Sequence, residues 1–80
     1  MFKKLLRIDL SYNKIQDINV FKYAKFENLE KLILTNNKIN DISVFNYIKF
    51  KKLIILDLGV NNISDIGSLE NNFPELKELL

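Results

Sequence analysis

The chain has 80 residues and contains no cysteine, histidine or tryptophan. A chain of this length has room for one small domain. Without cysteine and histidine, that domain lacks the usual protein ligands of zinc and haem, and without cysteine it has no nucleophile for thiol catalysis. Apolar residues make up 48% of the sequence, which is enough for a hydrophobic core without disulfide bonds. The net charge of +2 is too near neutral to indicate any class of partner by itself.

The first residues of the chain do not have the composition of a signal peptide. Charged residues surround an apolar run of only two, Leu5 and Leu6. The longest uninterrupted apolar run, Leu53–Leu56, is far shorter than the roughly 20 residues of a membrane span. Together with the absence of cysteine, these features favour a soluble, cytoplasmic protein.

The sequence repeats itself at a step of 24 residues. Phe2, Phe26, Phe50 and Phe73 open successive copies, which predicts one array with repeats at 2–25, 26–49 and 50–72 and a partial repeat at 73–80. Aliphatic residues recur at fixed positions of the copies: Leu5, Leu29 and Leu53; Ile8, Leu32 and Leu56; Leu10, Leu34 and Leu58; Ile15, Ile39 and Ile63; Ile18, Ile42 and Ile66.

Written as a pattern, the copies follow L-x-x-L-x-L-x-x-N-x-I-x-D-I-x-x-F, except for Ile8 in the first copy and Leu69 at the last position of the third. The pattern resembles the leucine-rich repeat family over essentially the whole chain. The D-I ending is similar to the short repeats of bacterial internalins and of eukaryotic phosphatase regulators. The resemblance implies an α/β repeat fold, a right-handed solenoid. Its parallel β-sheet would form the concave face and short helical or 3₁₀ turns the convex face.

The residues support the same fold independently of the resemblance. From Lys31 to Thr35, apolar and outward residues alternate with a period of two, as in a half-buried strand. Because each strand is followed by a return segment and then by an equivalent strand, the sheet must be parallel. We expect the amides of Asn13, Asn37 and Asn61 to bind backbone groups where the chain turns inward after each strand.

Three aspartates, Asp17, Asp41 and Asp65, precede the return segments. Their position predicts that each caps a helical turn by accepting backbone N–H bonds. A calcium ladder is the alternative, because stacked carboxylates would lie close together. One carboxylate per repeat is few ligands for calcium, however, so capping is favoured and no metal or other cofactor is predicted.

The variable outward residues of the strands, with the residues at the strand exits, form the predicted partner-binding surface. It consists of Arg7, Asp9, Tyr12, Lys31, Ile33, Thr35, Asn36, Ile55, Asp57 and Val60. An apolar centre surrounded by charged residues is suited to a protein partner. Aliphatic residues at these positions are also explained by β-propensity alone, and that alternative stays open.

Catalysis and nucleic-acid binding both lack support in the sequence. No Ser/His or Cys/His pair exists, and Asp9 and Asp57 would lie about 10 Å apart on an open sheet. We therefore predict that the protein is not an enzyme. Lysines predominate in residues 1–64, but no arginine or aromatic stacking set accompanies them, which favours a solvated face over a nucleic-acid site.

Size limits the predicted function. Four short strands present roughly 230 Å² in projection, whereas a standard interface covers about 800 Å² on each partner. Neither end of the array has a polar cap, so we expect a segment of a longer array, a covering partner, or self-association. The sequence thus predicts a protein-binding module; the alternative is a structural repeat that stacks end to end.

Overall fold

Within the described part of the chain, four short strands form one sheet in the order of the sequence. The computed structural model describes residues 6–24, 28–48, 50–64 and 73–80. The strands are β1 (Arg7–Asp9), β2 (Lys31–Ile33), β3 (Ile55–Asp57) and β4 (Glu78–Leu79). All neighbouring pairs are parallel. The predicted fold class, an α/β repeat solenoid with one strand per coil, is confirmed.

The strands align in the register that the sequence repeat predicts. Arg7 pairs with Lys31, Lys31 with Ile55, and Ile55 with Glu78, so the first two steps are 24 residues and the last is 23. Each repeat therefore places equivalent residues side by side. Because an offset of one residue would turn every apolar side chain outward, the buried leucines fix this register.

Aliphatic side chains from the strands and the return segments fill the core. The alternation within β2 and β3 buries Leu32 and Leu56 while their neighbours remain partly accessible. Leu29, Leu34 and Leu53 are also buried completely or nearly so. The equivalent side chains of the first coil, among them Ile8 and Leu10, are only half-buried.

Two 3₁₀ helices, Asn19–Tyr23 and Ser43–Tyr47, follow β1 and β2 on the return path. In the second helix, Phe45 is fully buried and its amide donates to the carbonyl of Ile42 at 3.0 Å, the spacing of a 3₁₀ turn. Ile48 ends the turn in an extended conformation and is itself buried. The third predicted return segment, 66–72, lies outside the described residues.

An aromatic cluster closes the core behind the sheet. The ring centroid of Phe45 lies 6.3 Å from that of Phe50 and 5.7 Å from that of Phe73, both edge to face. Phe50 and Phe73 stack on each other at 5.9 Å. The phenylalanines that open the third and fourth copies thus pack against the helix of the second, which fixes the distance between sheet and return path.

No helix among the described residues is long and apolar enough to cross a bilayer.

Candidate functional site

The outward residues of the sheet form three columns, which together we call the strand face. The first column is Arg7, Lys31, Ile55 and Glu78; the second is Asp9, Ile33 and Asp57; the third is Ser11, Thr35 and Gly59. Adjacent members of the first two columns are register partners, so their backbones lie about 5 Å apart. The half-buried Ile33 and Ile55 lie on the two central strands, between exposed residues of β1 and β4.

Arg7 and Asp9 form an ion pair at the β1 edge of the strand face. The guanidinium Nη2 lies 3.7 Å from Asp9 Oδ2, and both side chains are largely exposed. The other carboxylate oxygen accepts hydrogen bonds from the Ser11 hydroxyl at 2.7 Å and from its amide at 3.0 Å. Because these bonds stabilise the charged form, with a smaller contribution from Arg7, the pKa of Asp9 lies below its ordinary value.

Asp57 occupies the equivalent position in the third coil, but its surroundings differ. Its Oδ1 accepts a hydrogen bond from the Gly59 amide at 2.9 Å. The residue at the position of Arg7 is here Ile55, and Lys31 lies on the neighbouring strand beside Ile55. Among the described residues, no cation makes an ion pair with Asp57, so a carboxylate without an ionic partner lies beside Ile33 on the strand face.

The third column has a depression at Gly59. A Cβ built on this glycine would lie 3.2 Å from Asp57 Oδ1 and 3.6 Å from Thr35 Cγ2. The equivalent positions in the first two coils are occupied by Ser11 and Thr35. The equivalent residues of two coils carry a side chain, whereas Gly59 leaves a shallow hollow between Asp57 and Thr35, into which a Cβ would fit only after a small shift of the Asp57 carboxylate.

The residues that leave each strand adopt the left-handed conformation. The φ angles of Tyr12, Asn36 and Val60, which occupy one position of the repeat, are 59°, 58° and 53°. Asparagine tolerates this conformation well, whereas a β-branched residue is strained in it. Tyr12 and Val60 are nevertheless 76% and 72% exposed, so neither has extensive packing within the chain to offset the strain.

The asparagines after the strands connect neighbouring coils. The side-chain amide of Asn37 donates to the carbonyls of Leu34 at 2.9 Å and of Leu10, one coil away, at 3.0 Å. Its Oδ1 accepts from the amides of Asn13 at 2.9 Å and Ile15 at 3.0 Å. Asn61 repeats the pattern in the next coil: it donates to Leu34 and Leu58 and accepts from Ile39.

The aspartates of the return segments lie one residue earlier than the capping hypothesis placed them. The residues at the N-cap positions are Ile18 and Ile42, and neither makes a side-chain cap bond. Asp41 precedes Ile42, and its Oδ1 accepts from the Ser43 amide at 2.9 Å. Asp17 binds the equivalent amide of the first helix at 2.8 Å. In both repeats the aspartate thus accepts a bond from the amide two residues later, which is an Asx turn. The third aspartate, Asp65, lies outside the described residues.

A polar cleft of about 400 Å³ separates the strand exits from the 3₁₀ helices. Its lining consists of Gln16, Asp17, Asn19, Lys38, Asn40, Asp41 and Asn62. In the part of the chain that the structure describes, no three acidic side chains lie close enough to hold a metal ion together. Lys38 brings a positive charge into the same cleft.

Comparison with known proteins identifies the architecture. A family model for leucine-rich repeats (two copies) matches residues 3–47, which is more than half of the chain. The chain belongs to the leucine-rich repeat family. No curated protein matches the sequence. Leucine-rich repeats are generally protein–protein interaction modules, which directs attention to the strand face of this array.

Two features of this leucine-rich repeat chain were not anticipated from the sequence. Tyr23 and Tyr47 end the two 3₁₀ helices, 74% and 83% exposed, and the Lys22 ammonium lies 5.1 Å from the ring centre of Tyr23. An aromatic ring therefore accompanies Lys22 on the return side, and the 24-residue spacing of the two tyrosines was the available signal. The hollow at Gly59 had no sequence signal beyond the glycine itself.

Proposed function

We propose that the chain binds a protein partner through the strand face. The observation that carries this proposal is the apolar centre formed by Ile33 and Ile55 on adjacent strands. Both side chains are only half-buried, although every inward residue of the same strands is buried. Charged residues surround this centre, as in the rim of a protein–protein interface.

The predicted surface residues lie together rather than being scattered. The register places Arg7 beside Lys31 and Asp9 beside Ile33 on the first two strands. Tyr12, Asn36 and Val60 leave their strands at one edge of the same face. The proposed site is thus a continuous surface formed by the strands and their exits.

A peptide-display selection tests the proposal directly. The immobilised chain is panned against a random displayed-peptide library, and enriched peptides are measured against the wild type and an Ile33→Ser, Ile55→Ser double variant. We expect the double variant to bind at least about tenfold more weakly. A Val20→Ser, Tyr47→Ser double variant on the return side is the matched control and should retain affinity. Unchanged affinity in a folded Ile33/Ile55 variant contradicts the proposal.

The alternative function is a structural repeat that stacks end to end. It is favoured by the outer edges of β1 and β4, which pair with no further strand among the described residues, since open edges are templates for strand addition. Sedimentation velocity over a concentration series separates the two functions. Mass that grows steadily with concentration supports stacking, whereas a constant monomer mass supports the binding module.

A further inference from the structure

We infer that the exit of β3 is the anchor of the strand face and that it takes a basic residue adjacent to an aliphatic residue in an extended segment of the partner protein. The inference rests on the proposed function and specifies its partner chemistry. Three features of residues 57–60 carry it. The glycine, the β-branched residue and the aspartate without an ion pair occur together only in the third of the described coils, whereas the left-handed conformation of residue 60 recurs at Tyr12 and Asn36.

The first feature is the hollow at Gly59. Its φ lies outside the left-handed region, and the equivalent Ser11 and Thr35 show that the backbone position accepts a side chain. Ser11 also shows that a hydroxyl here bonds the neighbouring carboxylate, at 2.7 Å to Asp9. The backbone conformation of residue 59 therefore does not require glycine, although a side chain here would displace the Asp57 carboxylate by a few tenths of an ångström. A glycine on a binding surface does, however, let a ligand approach the backbone closely.

The second feature is the combination of strain and exposure at Val60. A left-handed φ of 53° is unfavourable for a β-branched residue, and Asn36 shows that a better-suited residue fits the same turn. Val60 is 72% exposed, so packing within the chain does little to offset this cost. Strained residues that remain exposed are concentrated at binding and catalytic sites. An aliphatic group seated on the hollow would contact Val60 next to it.

The third feature is the charge of Asp57. Its equivalent, Asp9, is paired with Arg7, but the described part of the chain supplies no such cation to Asp57. Glu78 lies beside Ile55 in the next strand, so two carboxylates flank the apolar centre on this side. A partner's lysine or arginine would complement this charge, whereas an acidic residue would be repelled.

The dimensions of the strand face favour a short segment over a second copy of the chain. Four strands present roughly 230 Å² in projection, and a stable dimer requires about 800 Å² on each side. An extended segment needs only to cross the central strands to contact Ile33, Gly59 and Asp57. This occupant is therefore matched to both the size and the charge of the surface.

Three variants that preserve the fold test the inference on the peptides selected above. Gly59→Ser fills the hollow and copies the Asp9–Ser11 arrangement; Asp57→Asn removes the charge but keeps an oxygen for the Gly59 amide. Val60→Asn replaces the strained residue with the one found at position 36. Circular dichroism and thermal melting establish folding, and we expect Val60→Asn to melt at a higher temperature than the wild type.

The selected peptides should contain a basic residue next to a leucine, isoleucine or valine. Each variant should weaken their binding on the order of tenfold. Val20→Asn, which makes the same kind of change at an exposed valine of the return side, should serve as the matched control with little effect. Selected peptides without a basic residue, or full affinity in Gly59→Ser and Asp57→Asn, overturn the inference. If the selected peptides overturn the inference but still lose affinity in the Ile33→Ser, Ile55→Ser variant, the proposed function of the strand face stands. A selection that yields no peptide contradicts both the inference and the proposed function.

Discussion

Asn37 is the residue on which the connection between the first two coils most depends. It is 8% exposed, and its amide bonds backbone groups on both sides of the coil boundary. Replacing it with alanine leaves buried carbonyl and amide groups without partners, each of which costs about 1–3 kcal/mol. We expect Asn37→Ala to reduce the free energy of unfolding by about 3 kcal/mol, measured by urea denaturation.

Asn13 provides the matched control for that substitution. Its side-chain amide donates to the carbonyls of Leu10 and Ser11, and the residue is exposed. Water can replace these partners when the side chain is removed, so Asn13→Ala should cost only about 1 kcal/mol. Equal losses in the two variants would mean that the bonds between coils contribute no more than the bonds within one.

The carboxylate of Asp41 makes the stability of the folded array depend on pH in the acid range. The Ser43 amide, followed by the Ser43 hydroxyl, lowers the pKa of Asp41 below its ordinary value of 3.8. A folded-state pKa below the unfolded value means that the carboxylate's stabilisation is complete above pH 3.8 and is lost as the pH falls through the folded pKa. Asp41→Asn should therefore flatten the acid side of a plot of melting temperature against pH.

Ser43→Ala separates the two contributions to the pKa of Asp41. It retains the backbone bond of 2.9 Å and removes the hydroxyl, so its acid dependence should fall between those of the wild type and Asp41→Asn. If the melting temperature falls equally at low pH in all three proteins, the Asx turn does not couple proton binding to folding.

At the residue scale, side-chain patterns predicted the strand face but not its local conformations. The alternation in β2 correctly assigns Lys31 and Ile33 to one side, because a period of two follows from the pleat itself. The left-handed turn at Val60 was not predictable in this way. Valine disfavours such a φ, and the same conformation at Tyr12 and Asn36 indicates that the turn of the repeat imposes it rather than the side chain.

Of the two 3₁₀ helices, the second packs more deeply into the core, because Phe45 lies between other aromatic rings. Its ring is fully buried and contacts those of Phe21, Phe50 and Phe73. We expect Phe45→Leu to reduce the free energy of unfolding by about 1.5 kcal/mol, through imperfect packing and lost aromatic pairs. Phe21→Leu in the half-buried first helix should cost less than about 1 kcal/mol, and the reverse order would contradict this assignment.

The sequence predicted the existence of these helices better than their type and limits. A spacing of three residues between Phe45 and Ile48 indicates one inward-facing turn, and both side chains are indeed buried. Pattern alone does not separate a 3₁₀ turn from an α-helical one. The short return path from Asp41 to Phe50 determines the choice, because a tighter helix spans more distance for each residue.

Across the whole molecule, burial is highest in the second coil and lower in the first. Leu34 and Ile39 are completely buried, whereas their equivalents Leu10 and Ile15 are half-buried. In a repeat array each coil contacts only its neighbours, so its stability depends on how many neighbours it has. We therefore expect the coils to open with different free energies, even though their sequences are closely similar.

Amide hydrogen exchange measures this difference at three equivalent positions. The amides of Leu10, Leu34 and Leu58 donate to carbonyls of the next coil at 2.8, 2.8 and 2.7 Å, so their hydrogen bonds alone predict equal protection. Since local opening depends on burial and neighbouring contacts, we expect Leu34 to exchange at least about tenfold more slowly than Leu10. That ratio corresponds to about 1.4 kcal/mol of opening free energy. Identical opening free energies at all three amides would show instead that the array unfolds as one cooperative unit, in which the exposed first coil is as stable as the second.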